Sequence, residues 1–227
     1  MSNLEFKAAS AKTRRAIVPV GSLEQHGPHL PVSTDSIIAE HVSRLVASKT
    51  GGFVMPVIAY GISYEHSPMF NISLNSRTLS ALAEDICKSL FENGIKEVIF
   101  VNGHHGNVGA LQYLAQTTLN GAPRGSSVHS LHYWHQLKQE FDHAGFVETS
   151  ILLHIAPELV RMDKAMPGLR RLGKSEAAYG TITNMPGSFP RLTGNGVWGD
   201  PRKATAEHGA RMVQEIVEGL SLAISQL

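Results

Sequence analysis

Glu97-Val98-Ile99-Phe100-Val101 is the stretch that decides the fold. Its apolar run is unbroken and rich in β-branched residues, the mark of a strand covered on both faces. It leads straight into Asn102-Gly103-His104-His105-Gly106-Asn107, a polar turn punctuated by glycine. Upstream, Ala16-Ile17-Val18-Pro19-Val20 reads as a first strand ending at Gly21, and Phe53-Val54-Met55-Pro56-Val57 as a second. A further strand lies near Ser127 to Leu131. Helical period fills the intervals. Thr34 or Asp35 can cap a helix through about Ser48, with Ile37, Ile38, Val42, Leu45 and Val46 as its apolar stripe. Ser76 starts a helix carrying Leu79, Leu82, Ala83, Ile86 and Leu90, closed by Asn93-Gly94. A third helix is expected from about Val108 to Leu119, and a long amphipathic one from about Lys203 to Leu227. This alternation predicts a three-layer α/β/α sandwich around a mainly parallel sheet, as one domain over residues 1–227. The stretch from Gly173 to Pro201 is too long for a plain connector and reads as a functional loop region or a flap.

Composition narrows the class of function. The 20 Lys+Arg nearly cancel 19 Asp+Glu, so binding to nucleic acid or to an anionic membrane has little electrostatic support. One cysteine, Cys87, makes neither an internal disulfide nor a Cys-based zinc site, and on its predicted helix it reads as a small core residue. The first residues lack the layout of a signal peptide, and no apolar run approaches the ~20 residues that span a bilayer. A cytoplasmic, soluble protein is expected. Twelve histidines are the unusual feature.

Ligands of such sheets sit beyond the carboxyl ends of the strands. The first strand empties into Gly21-Ser22-Leu23-Glu24-Gln25-His26-Gly27-Pro28-His29-Leu30-Pro31-Val32-Ser33-Thr34-Asp35. In extended chain Glu24 and His26 face one point while Gln25 faces another. Gly27-Pro28 turns the chain so that Asp35 returns at the mouth of a helix, where it serves either as an N-cap or as a functional carboxylate. Glu, His and Asp suit divalent metals, and His104 leaves the central strand at the same predicted edge. Ser22 and Ser33 sit in no nucleophile-elbow pattern.

The run Pro19 to Pro31, with Asp35 and Asn102-Gly103-His104, resembles the creatininase (creatinine amidohydrolase) family. Asp142-His143-Ala144-Gly145-Phe146-Val147-Glu148-Thr149-Ser150 and Gly196-Val197-Trp198-Gly199-Asp200-Pro201 carry the likeness onward, in order, to about Gly209. The resemblance implies a two-metal hydrolase. Glu24, Asp35 and His104 match the ligands of one ion. His26 and Asp35 match those of the second, with Asp35 bridging. Creatininase itself takes its last ligand from a Glu two residues after the histidine matched by His104; here that place is Gly106. Family members with glycine there keep the Glu of the Glu-Thr-Ser motif, so Glu148 is the expected replacement. His143 matches a catalytic histidine, and Asp142 an acidic neighbour. Three carboxylates against two divalent ions, zinc, manganese or iron, leave about one positive charge, which a bridging hydroxide neutralises. Two such ions lower the pKa of a shared water to ~7 and polarise a carbonyl.

The expected reaction is hydrolysis of a non-peptide amide C–N bond, a cyclic amide or a formamide, in a small-molecule substrate. His143, or an acid near it, would protonate the departing nitrogen. Creatinine itself is disfavoured by Gly106 and by the lack of a tryptophan just before Asp142. The segment His143 to Arg161 resembles the branch of peptidases that mature a peptide-derived redox cofactor. A non-catalytic metal-binding protein of the same fold is a further alternative, to be separated by whether the site is open or closed. A phosphate-handling enzyme is weakened by the absence of a glycine-rich phosphate loop. His105 and His66 are expected near substrate, and Trp134, beside Tyr133, as a wall on which a planar ring could stack. The histidines at 129, 132 and 135 around it read more simply as a strand end leading into a loop or helix. The resemblance also implies a homo-oligomer, creatininase being a hexamer.

Overall fold

The computed structural model describes residues 1–169 and 185–227. Among these residues the sheet has four parallel strands, β1 (Arg15–Val20), β2 (Phe53–Val54), β3 (Glu97–Asn102) and β4 (Ser127–His132), in the order β2-β1-β3-β4. The register is even across the centre: Val20 lies opposite Asn102, and Asn102 opposite His132. Three polar segments therefore leave the sheet along one edge.

Side chains alternate strictly through the two central strands, as a two-residue repeat demands. Ile17, Ile99 and Val101 face one layer, built from α2 (Thr34–Thr50), α6 (Phe146–Ile155) and α8 (Ala206–Ser225). Ala16, Val18, Val20, Val98 and Phe100 face the other, built from α3 (Ser76–Glu92), α4 (Val108–Leu111) and α5 (Leu114–Thr118). A strand buried on both sides has no polar face to show, which is why β3 reads as an uninterrupted apolar run. Cys87 lies in the second layer, fully buried. The expected three-layer α/β sandwich is what the chain forms.

Several boundaries differ from the sequence reading, each for a local reason. The expected Phe53–Val57 strand stops at Val54: Pro56 has no N–H for the ladder, and the chain re-engages only at Ile58, which bridges Val20. The helix expected over 108–119 is two pieces, because Tyr113 leaves helical geometry at φ −105° and ψ 12°. Leu111 and Leu114, on either side of the break, both lie in the second core. The last helix starts at Ala206, where the Thr205 side chain caps the His208 N–H. Among the described residues, three further helices appear: α1 (Asn3–Ser10) at the start, α6 in the middle and α7 (Ser188–Thr193) near the end. The expected loop from Gly173 to Pro201 falls partly on residues 170–184, outside the described residues; α7 occupies part of the remainder. Among the described residues, no helix is long and apolar enough to cross a membrane.

Candidate metal centre

In the order β2-β1-β3-β4, the connection after β1 runs to one side and the one after β3 to the other. The switch point between the two central strands is where such sheets open a crevice. Glu24 and His26 come from the segment after β1, Asp35 from the first turn of α2, and His104 from the turn after β3. All are buried: Glu24 and His26 at 0% exposure, Asp35 at 2% and His104 at 5%. Gly103 makes this convergence possible, since a Cβ there would lie 2.5 Å from the Asp35 carbonyl oxygen. Asp35 makes no capping bond to its own helix. Its Oδ1 lies 3.1 Å from His26 Nε2 and its Oδ2 3.2 Å from His104 Nδ1. Glu24 Oε2 lies 3.3 Å from His104 Nε2, and Glu24 Oε1 3.1 Å from His66 Nε2.

Both imidazoles are tied on one side and face Asp35 with the other nitrogen. His26 Nδ1 donates to the Glu24 carbonyl at 3.1 Å, which leaves Nε2 turned toward Asp35. His104 Nε2 donates to the Ile62 carbonyl at 2.7 Å, which leaves Nδ1 toward the other Asp35 oxygen. This fixed-tautomer arrangement is how proteins prepare histidines for a metal. Glu24 Oε2, Asp35 Oδ2 and His26 Nε2 are buried with no hydrogen-bond partner. Orphaned anionic oxygens at this depth cost several kcal/mol each unless a cation joins them (~2–7 by transfer estimates). The donor set therefore fits divalent cations.

Glu148 enters from the first turn of α6, 1% exposed. Its Oε2 accepts the Ala144 N–H at 2.6 Å and lies 3.6 Å from His26 Nε2; its Oε1 accepts the Tyr133 hydroxyl at 3.3 Å. The anion raises the buried Tyr133 phenol well above its ordinary value, after burial itself. Gly106 has no room for a side chain. A Cβ there would fall 2.1 Å from the Ile62 carbonyl oxygen and 2.5 Å from His104 Nε2. The backbone that binds His104 through Ile62 thus excludes a carboxylate at 106, while α6 delivers one from the opposite side. Asp142 accepts the Val147 N–H at 3.1 Å and so holds the start of α6.

The electrostatics follow from proximity overriding burial. Burial alone would discharge His104, but Glu24 and Asp35 raise its pKa to about 10. His26 is likewise raised well above its ordinary value by Asp35 and Glu148 against the cost of burial. Glu24 is lowered by His104 and His66 despite burial, and Asp35 is lowered by His26 and His104. His143 goes the other way: burial, then the neighbouring His26, holds it neutral, well below the usual range. Burial, reinforced by Glu148, pushes Asp142 up to about 7.

A cavity of about 260 Å³ opens above the cluster. His66, His105 and His143 line it, together with the aromatic side chains of Phe141, Phe189 and Trp198. Phe189, on α7, packs over His66 and His143 at ring separations of 4.6 and 4.8 Å. Trp134 is placed one layer back: it stacks on His132 and packs behind Phe141, outside the lining. The aromatic wall expected from Trp134 is instead supplied by those three residues, because the 3-10 turn after β4 directs Tyr133 and Trp134 into the core. Sequence reasoning also missed Glu65, a buried lining carboxylate beside His66, and Tyr133 as a partner of Glu148. Among the described residues, three sets offer ligand atoms within 4.8 Å of one another: Glu24, His26 and Asp35; His26, His143 and Glu148; and Glu24, His66 and His143.

Comparison with known proteins agrees with this architecture. Residues 1–224 match the family model Creatininase, described as creatinine amidohydrolase. A mycofactocin precursor peptide peptidase of Mycobacterium ulcerans (strain Agy99) is 36% identical over 220 residues, covering 89% of this chain and 81% of that protein. Creatinine amidohydrolase of Pseudomonas putida is 25% identical over 236 residues, covering 92% and 88%. The solved structure entitled "Creatininase Mn" superposes with a TM-score of 0.85 at 24% identity, over 100% of this chain and 96% of that one. Fold, site-bearing segments and sequence similarity converge, and the chain belongs to the creatininase family.

Proposed function

We propose that this protein is a hydrolase dependent on two divalent metal ions that cleaves an amide bond in a peptide or peptide-derived substrate. The observation that carries the reading is the buried cluster of bare ligand atoms beneath an open cavity. A purely structural metal site would be closed. The peptide assignment rests on the 36% identity to a mycofactocin precursor peptide peptidase, against 25% to creatinine amidohydrolase. It is supported by the backbone at Gly106, which refuses the carboxylate that creatininase itself carries there. The cyclic amide or formamide expected from sequence becomes the second substrate class to test.

In this reading Glu24, Asp35 and His104 would hold one ion, and His26, Asp35 and Glu148 the other. Mixed imidazole and carboxylate donors accept zinc, manganese or iron. Such ions supply an activated water and a polarised carbonyl. The chain's residues do the rest. His143, kept neutral by burial, faces the cluster with Nδ1 3.8 Å from Glu24 Oε1. It takes the proton of the attacking water and returns it to the departing nitrogen. Asp142 braces the start of α6, which presents Glu148. His66 and His105, with Phe141, Phe189 and Trp198, exclude bulk water and hold the substrate beside the cluster.

The test is metal analysis of the purified protein, combined with hydrolysis assays on short peptides, creatinine and a formamidopyrimidine before and after chelation. Cleavage of a peptide that disappears with the metal supports the proposal. Metal-dependent cleavage of creatinine alone would reverse the substrate assignment, and a protein that binds no metal would refute the site.

A further inference from the structure

Gln25 lies between Glu24 and His26, yet its side chain points away from the cluster into a network that decides where two protons sit. Its Oε1 accepts the Gly27 N–H at 2.9 Å, which identifies the other end of the amide as the donor. That Nε2 has two hydrogens and three neighbours: His66 Nδ1 at 2.8 Å, the Gly196 carbonyl at 3.2 Å and His143 Nε2 at 3.2 Å. The carbonyl can only accept, so it takes one hydrogen. The shorter imidazole contact takes the other. His66 Nδ1 is then an acceptor, and the His66 proton lies on Nε2, the atom 3.1 Å from Glu24 Oε1. No hydrogen remains for His143 Nε2, whose other neighbour is the Gln25 backbone carbonyl at 3.1 Å. His143 Nε2 therefore donates to that carbonyl, and His143 Nδ1 is left bare toward the cluster.

We propose that Gln25 is a positioning residue that sets the tautomers of His66 and His143. The consequence for His66 is specific. It lies within ligand distance of Glu24 and His143, but its facing nitrogen carries a hydrogen and offers no lone pair to a cation. His66 orients Glu24 instead of joining the ions. The consequence for His143 is the converse: its bare nitrogen is the one that can accept a proton. Gln25 is itself held by the loop near the end of the chain. Gly196 has φ +76°, and a Cβ on it would lie 1.8 Å from Gln25 Oε1, so only glycine lets this loop close over the amide. The inference concerns hydrogen placement and stands whichever amide is the substrate.

The experiment is long-range proton–nitrogen NMR of protein labelled with ¹⁵N-histidine, reconstituted with zinc and held at pH 7. In the unsubstituted protein, Nδ1 of His66 and of His143 should both give the signal of an unprotonated ring nitrogen. Gln25→Glu preserves shape but cannot donate, so His66 Nδ1 should gain a proton and its signal should move to the N–H region. The hydrolysis rate should fall about 10–100-fold with metal content unchanged, the range for residues that orient ligands. Gln25→Met removes the donor without adding charge and should mix the two tautomers of His66; it carries the same test if the glutamate variant does not fold. A His66 proton on Nδ1 in the unsubstituted protein would overturn the proposal. So would an unmoved His66 signal in both variants, even with reduced activity, since that is the signature of a merely structural glutamine.

Discussion

Replacing Glu148 with Gln separates the metal centre from the fold more cleanly than any other single change. The side chain keeps its shape, and an oxygen remains available for the Ala144 N–H, now bound at 2.6 Å by a charged acceptor. Converting that charge-assisted bond to a neutral one costs about 1 kcal/mol of stability. The effect on a cation is larger. Glu24, Asp35 and Glu148 contribute three negative charges against four positive ones from two divalent ions, and the substitution leaves two. A unit charge at ~4 Å and an effective dielectric of ~20 is worth about 4 kcal/mol, and more toward a divalent ion, partly offset by the amide oxygen that remains. A net loss of ~3–4 kcal/mol corresponds to a ~100- to 1000-fold weaker ion on the His26 side. We expect two ions per chain in the parent protein and one in the variant, read by elemental analysis after dialysis against defined free zinc or manganese. Thermal unfolding of the metal-free forms should differ by only a few degrees. Two ions held with undiminished affinity would show that Glu148 is no ligand and that the second ion is completed elsewhere.

Three further expectations can be checked together. His26→Ala and His104→Ala should each lower metal content and abolish hydrolysis while circular dichroism stays native; full activity in either rejects the ligand assignment. His104 in the metal-free fold has a pKa of about 10 against ~6.5 in the unfolded chain, so its contribution to stability is complete below pH ~6.5 and is lost as the pH rises toward 10. The same proton must leave when an ion binds. Calorimetry at pH 7 in buffers of different ionisation enthalpy should therefore detect proton release, with affinity rising as pH rises, whereas binding without release would contradict the assignment.

The parts of the fold legible in the sequence were those with a periodic signal. β1 and β3 were visible as apolar runs, and α2, α3 and α8 through their one-sided stripes. α6 escaped because Phe146, Val147, Ile151, Leu152 and Ile155 surround it with apolar residues, leaving no stripe to recognise. α1 carries a local signal, the Ser2 and Glu5 capping box, but no apolar stripe follows it, since none of its residues is buried. At the site, the positions of Glu24, His26, Asp35 and His104 could be read from their places just beyond strand ends or at a helix mouth. The placement of Trp134 could not, since a 3-10 turn decides whether an aromatic ring faces a cavity or the core. Nor could the role of Gln25, which depends on Gly196, 171 residues away in the chain.

The candidate donors are widely spaced along the chain, from Glu24 to Glu148, and α6, which carries the last of them, packs against α8 at the chain's far end. During synthesis, a ribosome that has released only the first two strands exposes Glu24, His26 and Asp35 without His104 or Glu148. An ion met at that stage finds a fragment of its cage. On the proposed reading, tight loading would wait until His104 and Glu148 have emerged and α6 has packed against α8, so metal capture would report on the folding of these elements and would not guide the earlier steps.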